Sequence, residues 1–244
     1  MTAKGLFRFA ASLAMALLPL LTGCRTPTVG TMEKQNSRPP VREVAVIGNS
    51  ITHHSPAPSI DWAGDWGMAA TAPEKDFFHI LEKRLSMWLA DRQAEPPKFS
   101  ICKGCVTEKD FSSWQTDPVK GADILIIELG DNFRRCENFE PEKNFISLYT
   151  NMLRDFQRAN PKQRIFCVGS WGDNSVSAWI QTACERTGAH FVSVADLMAD
   201  PTNRAKSEGH FTHGGVNWHP GDKGMAAIAD TLFNHITAVL QNEQ

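Results

Sequence analysis

Residues Asp123–Leu129 read DILIIEL, with large apolar side chains at both even and odd positions. Successive side chains of a strand point to opposite faces, so this run needs cover on both sides, as in the interior of a parallel sheet clothed by helices. Glu43–Gly48 (EVAVIG) and Arg164–Gly169 (RIFCVG) repeat the pattern, and Lys98–Cys102 and Ala189–Val194 are shorter strand candidates. Segments of helical period separate them. Residues 74–92 space Phe77, Phe78, Leu81, Leu85, Trp88 and Leu89 along one face, residues 142–159 and Ser175–Arg186 read as helices, and a last helix runs from about Lys223 to Leu240. Five strands alternating with helices predict an α/β fold, a three-layer α/β/α sandwich on a five-stranded parallel sheet. Such sheets bind ligands beyond the carboxyl ends of their strands. The unusual residues fall there: Asn49 and Ser50 after the first strand, Gly104 after the second, Gly130-Asp131-Asn132 after the third, Trp171–Asn174 after the fourth, and His219 before the last helix.

The sequence ahead of the first strand is of another kind. Lys4 and Arg8 precede an apolar run from Leu6 to Leu21, the layout of a secretory signal and short for a membrane span. The run closes on Leu21-Thr22-Gly23-Cys24, which resembles the bacterial lipobox. That resemblance implies removal of residues 1–23, lipidation of Cys24 and attachment to the cell envelope, periplasmic or outer membrane, through lipid chains rather than a transmembrane helix. Residues 24–42 are rich in Thr, Pro, Gly and Ser and read as a flexible tether, leaving 43–244 as one domain. Losing Lys4 and Arg8 leaves 23 of the 25 basic residues against all 27 acidic ones, net −4, with no basic cluster. Nucleic acid is therefore not an expected partner.

The strand ends carry the elements of acyl chemistry. A serine on a tight turn after Gly48 can point its hydroxyl into the crevice, or merely cap a turn. Asn132 offers a side-chain NH₂ and Gly104 a backbone N–H, both suited to a developing oxyanion. His219, in Asn217-Trp218-His219-Pro220, can serve as a base near neutral pH.

Gly48-Asn49-Ser50-Ile51-Thr52 resembles the first block of the SGNH (GDSL-like) hydrolases, with Asn49 where Asp is common. Lys103-Gly104, Gly130-Asp131-Asn132 and Trp218-His219-Pro220 resemble the second, third and fifth blocks, so the likeness spans residues 43–240. It implies a flavodoxin-like SGNH sandwich and a serine esterase acting on a small-molecule or glycan ester, acetyl esters above all. In that reading Ser50 is the nucleophile, His219 the base, and Ser50 N–H, Gly104 N–H and Asn132 Nδ2 form the oxyanion hole. One position departs. The family's Asp three residues before the histidine is Val216 here. A backbone carbonyl could orient His219 instead, a remote acid such as Asp173 or Glu208 could do so, or the enzyme could be impaired. The last case would make the chain a glycan-binding lipoprotein, and an acyltransferase would use the same residues.

Other features add little chemistry. His210, His213 and His219 do not have a standard zinc spacing, so no metal is expected, and without a phosphate-cradling glycine loop no cofactor is expected either. Cys102-Lys103-Gly104-Cys105 has no thioredoxin-like surroundings, which points to a local structural role, although the pairing of the five cysteines after Cys24 is not readable. Trp62 and Trp66 lie in a long connection, 53–72, and could either stack on sugar rings or pack onto the sheet edge.

Overall fold

The computed structural model describes residues 40–134 and 140–243. Five parallel strands form one sheet: β1 Glu43–Gly48, β2 Lys98–Ile101, β3 Ile124–Glu128, β4 Arg164–Val168 and β5 His190–Val192, in the order β2-β1-β3-β4-β5. This is the expected three-layer α/β/α architecture. All five side chains of β3 are buried, which is what DILIIEL requires. Alternation then divides the core. Val44, Val46, Ile124, Ile126, Phe166 and Val168 face helices α1 (Phe77–Ala90) and α7 (Asp222–Asn242). Ala45, Ile47, Leu125, Ile127, Ile165 and Cys167 face α2 (Pro141–Ala159) and α3 (Asn174–Thr187).

Local chemistry sets the helix bounds. The 74–92 segment becomes α-helical only at Phe77, after a 3-10 turn at Pro73–Lys75, because Asp76 caps the helix by accepting from His79 N at 2.8 Å. Asp173 caps α3 through Ser175 N and Val176 N, and Gly188 ends it in the left-handed region. Packing starts ahead of the first strand, where Val41 is buried and exchanges two hydrogen bonds with the Gln93 side chain. Three short helices stand where no period was readable: α4 Ala195–Ala199, α5 Ala205–Glu208 and α6 Gly214–Trp218. The leader, Cys24 and Cys136 lie outside the described residues.

The strand order has one consequence for function. After β1 the chain lays β2 on one side and β3 on the other, so the loops leaving β1, β2 and β3 stand side by side at the sheet's carboxyl edge, where sheets of this kind bind ligands. The register pairs Val46 with Ile101 and Gly48 with Glu128, which brings the segments carrying Ser50, Gly104 and Asn132 to that edge together.

Candidate active site

Ser50 stands on a tight turn in which Thr52 N and His53 N both donate to Asn49 O. The Asn49 side-chain carbonyl accepts from Ile51 N at 2.9 Å, a further brace. Gly48 is required at the strand end, because a Cβ there would overlap the Thr52 side chain. The turn is also tied down from below. Glu128, 3% exposed in β3, accepts from Thr52 Oγ1 at 3.0 Å and from Asn49 N at 3.3 Å. Burial first, then the charges of Asp131 and Glu108, push the Glu128 carboxyl well above the usual carboxylate range. Burial likewise raises Asp131, although it accepts from Ser170 Oγ at 2.6 Å and Gly172 N at 2.9 Å.

His219 Nε2 lies 2.8 Å from Ser50 Oγ. Its other ring nitrogen, Nδ1, lies 2.7 Å from the carbonyl oxygen of Gly215. A carbonyl only accepts, so Nδ1 carries the hydrogen and Nε2 presents its lone pair to the serine hydroxyl. Of the acceptors open at position 219, the backbone carbonyl is the one in place. Asp173 caps α3, and Glu208 accepts from Asp222 N and Lys223 N at the start of α7. Val216 is fully buried in a small apolar cluster with Trp62, Met68, Ala69 and Ala205. Burial pushes His219 down from the ordinary 6.5 to about 4, against the Gly215 bond, which raises it. The imidazole is therefore neutral at pH 7, the state a base needs.

The remaining expected residues, Gly104 and Asn132, stand on the loops that follow β2 and β3. Gly104 has φ +71, a backbone conformation that favours glycine, and it lies between Cys102 and Cys105, which form a disulfide. Among the described residues neither Gly104 N–H nor Ser50 N–H meets an acceptor. Asn132 donates through Nδ2 to Glu108 Oε2 at 2.7 Å. Sequence reasoning missed Glu108 and Glu128. An acid inside the DILIIEL strand was a readable signal for Glu128, since buried carboxyls occur with hydrogen-bonding partners. Glu108 gave no such signal.

The other candidates resolve into packing roles. Trp62 is 2% exposed, donates to His54 O, and packs edge-on to Trp66, whose own indole N–H goes to Ala70 O. Both pack onto the body of the protein, Trp62 buried and Trp66 half-buried. The exposed indole is Trp218, 39% accessible, set against Gly172 and edge-on to His219 with ring centroids 5.3 Å apart. His213 accepts from Gly215 N at the start of α6.

No protein-family profile matches the chain, and no curated protein matches it. Solved structures do. One is a carbohydrate esterase whose active site is described as displaying divergent catalytic and non-catalytic binding functions (TM-score 0.53, 12% identity, 82% of this chain and 69% of that one). Another is a family two carbohydrate esterase from Clostridium thermocellum in complex with cellohexaose (TM-score 0.50, 16% identity, 84% and 66%). A third is an alpha/beta hydrolase enzyme from the metagenome of Lake Arreo, Spain (TM-score 0.51, 15% identity, 79% and 94%). The chain spans about two thirds of the length of the two carbohydrate esterases. At such identities the likeness establishes the fold alone, a three-layer α/β/α sandwich.

Proposed function

We propose that this chain is a serine esterase that hydrolyses small acyl esters, acetyl esters of carbohydrates in particular. One observation carries the reading: the continuous relay from Ser50 Oγ through His219 to the Gly215 carbonyl, with contacts of 2.8 and 2.7 Å. As Ser50 Oγ attacks the acyl carbon, its proton passes to Nε2. Charge gathers on the former carbonyl oxygen, where the N–H groups of Ser50 and Gly104 and the Asn132 amide are available as donors. Collapse of this intermediate expels the alcohol, which takes the proton from His219 and leaves an acyl-serine. Water then attacks, gives its proton to His219, and the carboxylic acid departs as Ser50 regains its hydrogen. The Gly215 carbonyl holds the tautomer throughout and faces the imidazolium while it exists, the two tasks an aspartate performs in a full triad.

The carbohydrate part of the proposal rests on Trp218. An indole face beside the base suits the apolar face of a sugar ring, with the ester projecting towards Ser50. A glycan-binding protein without turnover is less favoured, because its main support was a histidine lacking an acceptor, and His219 has one. We also propose envelope attachment through Cys24, a reading with which the Cys102–Cys105 disulfide agrees, since such bonds persist in oxidising compartments. Mass spectrometry of the mature N-terminus finding an unmodified residue there would remove the anchor. The esterase reading is tested with p-nitrophenyl acetate and acetylated oligosaccharides, wild type beside Ser50→Ala. An alanine variant that keeps a tenth or more of the rate, a loss of no more than about 1.4 kcal/mol, would exclude Ser50 as nucleophile.

A further inference from the structure

Glu108 stands in a turn beyond β2 and reaches the two other loops of the site. Its Oε1 accepts from Gly130 N at 2.5 Å, from Asn49 Nδ2 at 3.2 Å and from Asn132 N at 3.3 Å, while its Oε2 accepts from Asn132 Nδ2 at 2.7 Å. The carboxylate thus touches the residue before Ser50 and three groups of the Gly130–Asn132 loop. Its own turn is fastened at both ends. The Cys102–Cys105 disulfide and the Thr107–Ser113 pairing hold it on one side, and Arg134 N donates to Lys109 O on the other.

We infer that Glu108 is a positioning residue of the proposed oxyanion site, acting through the Asn132 side chain; the inference rests on the esterase reading. Asn132 is exposed on a loop, and an exposed amide samples several rotamers and either of two flips. A carboxylate accepts and never donates, so Asn132 must turn its NH₂ towards Glu108 and not its carbonyl. One hydrogen of that NH₂ is then committed to Glu108, and the second is the one presented to substrate. The charge on the acceptor makes this bond stronger than a neutral one. Four donors spread that charge, which limits its opposition to an oxyanion forming nearby.

Glu108→Gln isolates the effect. It keeps a carbonyl oxygen for Gly130 N, Asn132 N and Asn49 Nδ2, but turns an NH₂ on the NH₂ of Asn132. With the full chain and p-nitrophenyl acetate, kcat is expected to fall about tenfold or more, as when an oxyanion donor is displaced, while KM and Tm stay near wild type. The decisive measurement is a double-mutant cycle: in an Asn132→Ala background, Glu108→Gln should cost nothing further in kcat. Should the glutamine variant not fold, Glu108→Asp, which keeps the charge but withdraws it by one methylene, takes its place in the same cycle. Losses that add in full, or a wild-type kcat in the single variant, would overturn the inference and leave the esterase reading intact. A wild-type rate no higher than that of Ser50→Ala would overturn both.

Discussion

The side-chain amide of Asn49 lies between two carboxylates, 3.2 Å from Glu108 and 3.4 Å from Asp131. Beneath it Glu128 takes the Asn49 backbone N–H. An aspartate, common in the block that Gly48–Thr52 resembles, would put a fourth carboxyl against three others at a place where an amide can donate. Asn49→Asp is therefore expected to cost about 1–3 kcal/mol at pH 7. Burial and neighbouring acids raise Glu128 and Asp131, and they would raise a carboxyl at 49 in the same direction. A group whose folded pKa is raised in this way weakens the fold as pH climbs past its unfolded value, about 4 for Asp. The Tm deficit of the variant should widen from pH 4 to pH 7, and a deficit constant over that range would contradict the explanation.

In the proposed mechanism His219 sets the acid side of the pH profile. His219 must be neutral to take the serine proton, and burial holds it at about 4. The kcat/KM profile should stay flat as pH falls through 6.5 and drop only near 4. An acid limb at the ordinary histidine value would mean that the imidazole is solvated in the working enzyme. Stability follows the same sign. The buried neutral ring favours folding above pH 6.5, and that contribution is lost progressively as pH falls towards 4.

Val216→Asp is expected to lower Tm without raising kcat. The side chain points into the cluster of Trp62, Met68, Ala69 and Ala205, where an unpaired carboxylate is costly, and the acceptor position at Nδ1 is already filled by Gly215. A folded variant with a tenfold gain, about 1.4 kcal/mol of barrier, would show that the carbonyl is an inadequate substitute.

Trp218→Ala separates the two halves of the functional proposal. If the indole is a platform for sugar, kcat/KM on acetylated oligosaccharides should fall about tenfold while p-nitrophenyl acetate is turned over at close to the wild-type rate. A stacked aromatic is worth about 0.5–1.5 kcal/mol beyond the area it buries, which is of that order. Equal losses on both substrates would point to a role in holding His219, which the indole meets edge-on.

The parts legible in the sequence are those fixed by short-range pattern. EVAVIG and DILIIEL declare buried strands because both parities are apolar, and β1 spans the very residues read for it, Glu43–Gly48. Ser50, Asn132 and His219 stand out as candidates because each sits in a short block at a strand or helix boundary, and the structure brings Ser50 and His219 into contact. The helices α4, α5 and α6, of five, four and five residues, are too short for a helical period to register. Glu108 was invisible for another reason: its partners lie 59 residues before it and 22 to 24 after it, and nothing local marks it. Trp62 and Trp66 read the same whether they pack or stack, and only the burial of Trp62 and the partners of Trp66 decide.

The Cys102–Cys105 bond gives a last prediction. A dithiol reductant that opens it, closing its own disulfide as two thiols are released, frees the backbone on either side of Gly104. The expected result is a several-fold fall in kcat, with the Cys102→Ser/Cys105→Ser double variant equally slow and indifferent to reductant. Unchanged kcat after complete reduction would show that Gly104 is held by the rest of its loop. Cys167 and Cys184, both buried, are not expected to respond.

That bond would also tie the proposed activity to a compartment. Reduced by the thiols of the cytosol, the polypeptide would have its serine and histidine but a loosened donor loop between them. Under the proposed export and esterase activity, oxidation outside the cytosol would finish the site, so the newly made chain would spare the esters and thioesters of the cell interior.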